Sequence, residues 1–387
     1  MTGRRAKACS YGVSALFTPF TLRGLTLPNR IVVSPMCQYS AEDGCATDWH
    51  LIHLGQFALS GAGLLILEAT GVEPVGRISP ACLGLYDDAT EAALRRVVEA
   101  IRRWSPMPLG IQLGHAGRKA STRPSWEVRG ERTRWLLPAD GGWATVGPSA
   151  LPFGPGWPTP GELDAAGMDR IVAAFAQAAS RTARLGLDLI EIHGAHGYLI
   201  SSFLSPLANR RKDDHGGSLE NRMRFPLRIA AAVREAFTPD RPVGMRFNGT
   251  DWADGGITPE EAVAFARALR EVRLDYCDVS SGGNAEVRIP LAPGYQVPFA
   301  ERVRRESGMA TMAVGLIREP EQAEAVIAGG RADLVALGRA MLHDPRWPWH
   351  AAEALGASVQ VAPQYWRGAT RAGVPHFDTR PAEATRV

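Results

Sequence analysis

Eight short apolar segments recur along the chain, and most of them are followed by apolar positions at helical spacing. The apolar segments are 31–36, 64–72, 108–113, 187–193, 242–248, 276–281, 309–315 and 332–338. The helical patterns are clearest over 91–104, 165–185, 222–237, 259–272 and 320–328. Near-continuous apolar strands that alternate with helices are typical of parallel sheets. Eight such repeats predict an α/β fold, a (β/α)8 or TIM barrel, and the lack of a G-x-G-x-x-G motif after any strand argues against a Rossmann sheet.

Two segments depart from a minimal barrel. Residues 17–30 precede the first strand and resemble a small hairpin that would cap the amino-terminal end of the barrel. Residues 115–160, between the third strand and its helix, are rich in Pro, Gly and Trp, and loops of this length are usually lids or capping insertions. We expect one barrel domain over 16–368 that includes this insertion. The extension 1–15 and the tail 369–387 are expected to be disordered.

The composition limits the classes of function. The chain has 387 residues, of which 45% are hydrophobic, and a formal net charge of +3 without any basic block longer than 210–212, so nucleic acid is not expected as a partner. Its five cysteines form no C-x-x-C pair and no zinc or iron–sulfur spacing, which favours a reducing cytoplasm. No apolar stretch approaches the roughly 20 residues of a membrane span, and residues 1–15 lack the apolar core of a secretory signal. We expect a soluble cytoplasmic protein that acts on small molecules.

Candidate site residues follow the predicted strands at their carboxyl ends. In a (β/α)8 barrel these ends meet on one face, where the active site lies. The candidates are Ser34, Pro35, Met36, Cys37 and Tyr39 after the first strand, Ala69 after the second, Gln112 on the third, His193, His196 and Tyr198 after the fourth, Arg246 on the fifth, Gly315 after the seventh, and Gly338 and Arg339 after the eighth. Singly, Cys37 could be a buried filler, and the two tyrosines could be packing aromatics. Their convergence at one rim favours a functional site.

The glycine-spaced turn after the fourth strand carries His193, His196 and Tyr198. If this turn opens a helix, the two histidines share one face and can direct N–H groups at one ligand oxygen. Tyr198 would then stand beside them as a proton donor. Two alternatives remain open. One is a metal site with Glu191, although His115 is the one other histidine at a strand end; the other is a pair of structural core histidines.

Gly315, Gly338 and Arg339 fit the phosphate site of such barrels. Glycine allows backbone N–H groups to approach an anion, and arginine adds positive charge. The alternative is a pair of ordinary strand-to-helix turns with an arginine that faces solvent. The position of both turns, after the last two strands, favours a phosphorylated ligand.

The segment that follows the histidines resembles a known family. Residues 203–222 read Phe-Leu-Ser-Pro-Leu-Ala-Asn-Arg-Arg-Lys-Asp-Asp-His-Gly-Gly-Ser-Leu-Glu-Asn-Arg. This segment is similar to the old yellow enzyme family of flavin-dependent ene-reductases, and the resemblance extends over about 16–368. The runs Ser-Pro-Met-Cys ending at Cys37, His-Ala-Gly-Arg-Lys ending at Lys119 and Gln-Tyr-Trp-Arg ending at Arg367 resemble the bacterial, thermophilic-like branch of that family.

The resemblance implies that FMN lies across the barrel mouth and that NADPH is the hydride donor. Residues implied to line the flavin ring are Ser34, Pro35, Met36, Cys37, Ala69 and Gln112, with Arg246 near N1 and O2, while Gly315, Gly338 and Arg339 would hold the phosphate. Cys37 would tune the potential of the flavin. A homodimer or homotetramer is also implied, in which Arg367 reaches the site of a neighbouring subunit.

The implied reaction is the reduction of activated C=C bonds in α,β-unsaturated carbonyl or nitro compounds by ping-pong hydride transfer. His193 and His196 would bind the carbonyl or nitro oxygen, Tyr198 would protonate Cα, and Tyr39 and Arg367 would contact the substrate. Two rival functions remain from other classes. One is a metal-dependent barrel hydrolase that uses the two histidines with Glu191, and the other is a flavin- or steroid-binding protein without catalysis.

Overall fold

Eight parallel strands close into a barrel in the structure, a computed structural model that describes residues 14–130, 133–368 and 377–378. The barrel strands are β1 Ile31–Val33, β2 Leu64–Gly71, β3 Leu109–Gly114, β4 Leu189–Gly194, β5 Val243–Asn248, β6 Tyr276–Ser280, β7 Ala310–Ala313 and β8 Leu334–Leu337. Each strand pairs with the next, and β8 returns to β1 with Val335 opposite Ile31. The predicted (β/α)8 barrel is therefore confirmed. Outside the barrel, short strands pair as Phe20–Leu22 with Leu25–Leu27, Val146–Gly147 with Gly161–Glu162, and Val359–Gln360 with Phe377–Asp378.

Helices cover the outside of the barrel. The α-helices are Asp48–Ala58, Asp88–Arg102, Ala165–Arg184, Leu199–Leu204, Leu219–Ala236, Pro259–Glu271, Val297–Ser307, Pro320–Ala328, Arg339–His343 and Trp347–Ala354. The five helices predicted from apolar spacing are present, with ends that move by up to three residues. Caps explain some of these shifts. The Asp87 carboxylate accepts a hydrogen bond from the Thr90 N–H, which starts that helix before its apolar pattern begins.

The helix Asp48–Ala58 has no counterpart among the predicted helices. Its buried face includes His50 and His53 as well as Leu54 and Phe57, so the apolar periodicity is broken at two positions. The third residue of a helix usually accepts a hydrogen bond from the N-cap N–H with an acidic or glutamine side chain. Here that residue is His50, whose ring accepts the bond from the Thr47 N–H, so the usual sequence signal of a capping box is missing. The pattern of apolar residues alone therefore underestimates the helical content.

The floor of the barrel is apolar. Leu64 and Leu334, the first residues of β2 and β8, belong to an interior cluster that also contains Leu22 and Leu27 of the amino-terminal hairpin. All four side chains are buried. The hairpin therefore caps the amino-terminal end of the barrel, as predicted, and ligands reach the barrel axis from the carboxyl ends of the strands.

The long insertion after β3 is folded against the rest of the barrel. Trp157 packs on Phe153 with ring centroids 5.1 Å apart. The indole N–H of Trp143 donates a hydrogen bond of 2.8 Å to the carbonyl of Val75, in the loop after β2. The ring of Phe153 in turn lies 4.4 Å from the Lys119 ammonium. The insertion therefore reaches the side chains around the barrel mouth.

The ends of the chain fall largely outside the described residues. Of the extension predicted to be disordered, residues 1–13 lie outside them, and so does the tail from 369 onward apart from 377–378. Ser14 and Ala15 are described, and both donate hydrogen bonds to the Glu324 carboxylate. None of the described helices has the length and apolar character needed to cross a membrane.

Candidate active site

A cavity of about 400 Å³ lies at the carboxyl ends of the barrel strands. The predicted site residues that line it are Ser34, Pro35, Met36, His196, Arg246, Gly315, Gly338 and Arg339. They come from five strands, so the barrel brings residues that are far apart in sequence to one mouth. The volume falls in the range of roughly 300–1,000 Å³ that is usual for ligand and cofactor sites.

The part of the cavity after β7 and β8 suits an anion. Gly315 has a φ of 123°, and a Cβ there would lie 3.1 Å from the Gln296 side chain. Glycine is the residue that adopts this conformation without strain. Gly338 directly follows β8, and the exposed Arg339 is next to it. Open backbone beside a guanidinium is a suitable arrangement for binding phosphate, which supports the predicted phosphate site.

His193 and His196 lie on two different elements. His193 belongs to β4, whereas His196 lies in the following loop with a φ of 60°, and the next helix begins only at Leu199. The expectation that the two histidines share one face of a helix is therefore wrong. Gly197 explains the difference, because a Cβ at this position would lie 1.9 Å from the carbonyl oxygen of Gly283. The turn packs against another backbone, and the two imidazole rings still meet with centroids 5.2 Å apart.

Both imidazoles are neutral in this environment. Burial, together with the charge of Arg246, lowers the pKa of His193 to about 3 and lowers that of His196 well below its usual value. The His193 Nδ1 accepts the Ala195 N–H at 3.3 Å, which leaves the proton of the neutral ring on Nε2. The His196 Nε2 lies 2.7 Å from the Ser280 hydroxyl, which can donate to it and leave the ring N–H on Nδ1. The pair can therefore offer N–H donors without carrying charge.

Tyr198 stands beside the histidines as a protonated phenol. Its ring centroid is 4.9 Å from that of His193. Tyr198, Tyr39 and Cys37 all pack against a small buried cluster that includes Ala69. Burial, with Cys37 and Tyr39 nearby, raises the pKa of the Tyr198 phenol well above its usual value. At neutral pH this group therefore holds a proton that it can donate.

Lys119 fixes the loop that carries the site. Its ammonium donates hydrogen bonds of 2.7 Å to the His196 carbonyl and 3.0 Å to the Gly283 carbonyl. The same ammonium lies 5.4 Å from the centroid of the Tyr198 ring. Burial, reinforced by nearby arginines, lowers the pKa of Lys119 to about 7. In the sequence, Lys119 ends the His-Ala-Gly-Arg-Lys run and is one of only three lysines in the chain. This scarcity of lysine is the signal that could have identified it as a site residue.

A polar layer lies inside the barrel near the mouth. The Gln112 amide donates a hydrogen bond of 2.7 Å to the Glu191 carboxyl, and the Tyr276 hydroxyl lies 3.4 Å from the same carboxyl. The Arg246 Nε lies 3.2 Å from the Asp278 carboxyl. Sequence reasoning did not identify Asp278. The signal was a lone acidic residue within an apolar strand, where a charge is costly unless it is paired.

Two polar atoms at the cavity test whether a flavin fits there. The Ser34 hydroxyl and the Arg246 Nε are buried, and neither has a hydrogen-bond partner among the described residues. Buried donors of this kind are normally satisfied, so the Ser34 hydroxyl is suited to an acceptor of a flavin ring. The Arg246 Nε faces the Asp278 carboxyl at 3.2 Å, while the Arg246 side chain also lines the cavity. The donors at β1 and β5, the anion site at β7 and β8, and the cavity volume fit FMN.

The structure leaves several predicted site residues outside the lining of this cavity: Cys37, Tyr39, Ala69, Gln112, His193, Tyr198 and Arg367. Arg367 is exposed on the 3₁₀ helix Pro363–Gly368 and does not line the cavity of its own chain. A metal centre is not supported, because the described residues contain no group of three or more His, Cys, Asp or Glu side chains arranged to hold a metal. Glu191 instead binds Gln112 inside the barrel.

Comparison with known proteins gives consistent matches over almost the whole chain. Residues 15–357 match the model of the NADH:flavin oxidoreductase / NADH oxidase family. An NADPH dehydrogenase of Geobacillus thermodenitrificans is 46% identical over 357 residues, which cover 92% of this chain and 98% of that protein. Morphinone reductase superposes with a TM-score of 0.73 at 29% identity, covering 97% of this chain and 96% of the other. A structure of morphinone reductase in complex with tetrahydroNAD has a TM-score of 0.71 at 30% identity, covering 89% and 91% of the two chains.

Proposed function

Because the chain belongs to the NADH:flavin oxidoreductase / NADH oxidase family, we propose that it is an ene-reductase that reduces activated C=C bonds of α,β-unsaturated carbonyl or nitro compounds. The protein is an FMN-linked oxidoreductase with a nicotinamide dinucleotide as its donor. When bound, FMN would supply the redox chemistry for hydride transfer from NADPH to the second substrate. The observation that carries the proposal is the set of two neutral histidines and one protonated tyrosine beside the mouth cavity.

The cofactor is held by residues of six strands in this proposal. Ser34, Pro35, Met36, Cys37, Ala69 and Gln112 line the flavin ring, Arg246 balances negative charge at its pyrimidine end, and Gly315, Gly338 and Arg339 bind the phosphate. The unsatisfied Ser34 hydroxyl supports this assignment, because it would gain an acceptor.

The histidine pair polarises the substrate. His193 and His196 donate hydrogen bonds to the carbonyl or nitro oxygen, on which negative charge develops as hydride reaches Cβ. A positioned donor of this kind is worth about 3–4 kcal/mol in the transition state. Neutral imidazoles suit this role, since the low pKa values keep the number of ring protons constant across the physiological pH range.

Tyr198 completes the reaction as the acid. Its phenol donates a proton to Cα, the carbon next to the carbonyl or nitro group. Solvent then returns a proton to the Tyr198 hydroxyl. Tyr39, in the same cluster, orients the substrate. Because the hairpin caps the other end of the barrel, both reactants enter by the mouth, and we propose that they occupy the same place there in turn. The kinetic order is therefore ping-pong.

We extend the proposal to assembly and location. Arg367 is exposed beyond the barrel, and we place it in the substrate site of a neighbouring subunit of a homodimer or homotetramer. Sedimentation of the purified protein and the Michaelis constant of Arg367→Ala test this arrangement; a monomer with full activity contradicts it. The described cysteines, Cys37, Cys45, Cys82 and Cys277, are free thiols, which supports the expected cytoplasmic location.

The visible spectrum of the purified protein tests the proposed reaction. Anaerobic NADPH is expected to bleach a flavin absorbance, and cyclohexenone is expected to restore it with formation of the saturated ketone. A flavin that NADPH bleaches but that only oxygen restores would contradict ene-reduction and favour an oxidase. A colourless protein whose activity is lost with a chelator would favour the metal-dependent hydrolase instead.

A further inference from the structure

Two carboxyl groups and one guanidinium are enclosed inside the barrel near its mouth. Glu191 and Asp278 have no exposed surface, and Arg246 is 8% exposed. Strand register places them together, since Arg246 on β5 lies opposite Asp278 on β6, and Glu191 on β4 lies opposite Gly244 on β5. Gly244 has no side chain to separate its neighbours, so the ring of Tyr276 lies across it, within 2.3 Å of where a Cβ would be.

The charges in this layer do not balance if both acids are ionised. Arg246 is the cation paired with the layer among the described residues. The other interior groups carry no charge: Gln112 on β3, Tyr276 on β6, Met312 on β7, Ile66 on β2, Ala336 on β8 and the neutral His193 on β4. A second buried anion without a partner is unfavourable, because it has lost its hydration and gains no compensating charge.

The hydrogen bonds of the two acids also indicate that the layer holds a proton. Neither oxygen of Asp278 accepts a hydrogen bond from the described residues, and its contact with the Arg246 Nε is an ion pair of 3.2 Å without hydrogen-bond geometry. Glu191 is held by the Gln112 amide and by a long contact with the Tyr276 hydroxyl. One proton on this pair of acids would balance the single positive charge of Arg246 and neutralise the layer.

We propose that Glu191 and Asp278 hold one proton between them, and that they bind it more tightly when the flavin in the mouth cavity is reduced. The pair is thus a redox-linked proton site that adjusts the reduction potential of the cofactor. The proposal rests on the proposed binding of FMN in the cavity that Arg246 lines. Its physical cause is charge: reduction adds negative charge near Arg246, which raises the proton affinity of the acids beside it.

The balance of protons and electrons gives the pH range of the effect. A hydride brings two electrons and one proton to the cofactor, and any second proton comes from water and binds to the acid pair. Burial, with Asp278 nearby, raises the pKa of Glu191 to about 8. Below this pH the pair holds its proton in both redox states, so no second proton is taken up. Above it the oxidised protein loses the proton, and reduction restores it.

The midpoint potential of the FMN-loaded protein, measured against pH from about 7 to 9.5, tests the proposal. Each proton bound with two electrons changes the potential by about 30 mV per pH unit. We expect a slope of about 30 mV per pH unit in the lower part of the range, and about 60 mV above the break, as a second proton joins. Glu191→Gln removes the shared proton, so its slope is expected to stay near 30 mV throughout. Tyr276→Phe is the matched control, because it keeps both acids and should keep the break.

A break that persists in flavin-loaded Glu191→Gln, or a wild-type slope without a break, would overturn the proposal. If Glu191→Gln does not fold, the same potential measurement on Asp278→Asn takes its place, together with a measurement of proton uptake by the wild-type protein. In a weakly buffered solution at about pH 9, a pH indicator dye reports proton uptake as the FMN-loaded protein is reduced anaerobically. We expect the protein to take up a second proton from solvent, and uptake of no more than the one proton that accompanies the hydride would refute the proposed proton site. A preparation that binds no flavin refutes the proposed function itself, which keeps the two failures distinct.

Discussion

Replacement of Tyr198 by phenylalanine removes the proposed proton donor but keeps the ring, whose centroid lies 4.9 Å from that of His193. Burial keeps the wild-type phenol protonated far above neutral pH, so the acid is fully available in every turnover. General acid catalysis contributes roughly 10²–10⁴-fold, or about 3–5 kcal/mol of the barrier. We expect the reoxidation of the reduced protein by cyclohexenone to slow by roughly that factor in Tyr198→Phe. Its reduction by NADPH involves no phenol and should change little.

Anaerobic stopped-flow absorbance measures the two half-reactions separately. Tyr39→Phe is the matched control, because Tyr39 packs in the same buried cluster but makes its ring contact with Trp126, at 5.4 Å. It should raise the enone concentration needed for half-maximal rate more than it lowers the rate itself. Equal slowing of both half-reactions in Tyr198→Phe, or an equally large loss in Tyr39→Phe, would show that Tyr198 is not the acid.

Three other changes test the surroundings of the site. Joint replacement of His193 and His196 by alanine should abolish enone binding, measured by spectral titration, with FMN still bound; loss of the flavin would mean that the pair serves the cofactor. Gly197→Ala should lower the melting temperature far more than Gly186→Ala, because both positions have positive φ but only the first has a carbonyl oxygen 1.9 Å from the new Cβ. Lys119 has a folded pKa of about 7 against an unfolded value of 10.5, so the unfolded state binds more protons between these values and stability should rise with pH there. Chemical denaturation at about pH 6.5 and 9 should therefore show the difference between wild type and Lys119→Met growing with pH, and a constant difference would contradict a buried amine.

The barrel was predictable because each of its strands and helices can be recognised from a short stretch of sequence. Eight apolar segments of similar length need no contact information, and neither does the helix start at Thr258-Pro259, where the cap, the proline and Glu261 are adjacent in sequence. The helix Asp48–Ala58 was not predictable in the same way, since His50 and His53 interrupt the apolar pattern on its buried face. The group that His50 faces, Glu68 at 3.3 Å, is distant in sequence. The family resemblance of residues 203–222 is confirmed by matches that span the chain.

The site was predictable as a set of residues but not as a geometry. Positions at strand ends place Ser34, Arg246 and Gly315 at one mouth by the topology of the barrel alone. The conformation of the histidine turn depends on Gly197 meeting the backbone near Gly283, a contact between loops 86 residues apart. Such a contact leaves no periodic trace in the sequence.

The leucine-capped floor of the barrel has a consequence for steady-state kinetics. Leu22 and Leu27 close one end of the barrel, so in the proposed reaction NADPH and the enone approach the same flavin through the same mouth. Each reactant is then a dead-end inhibitor of the redox form that should receive the other one. At high concentrations of either reactant the velocity is expected to pass through a maximum and decline, and the position of that maximum will depend on the ratio of the two concentrations.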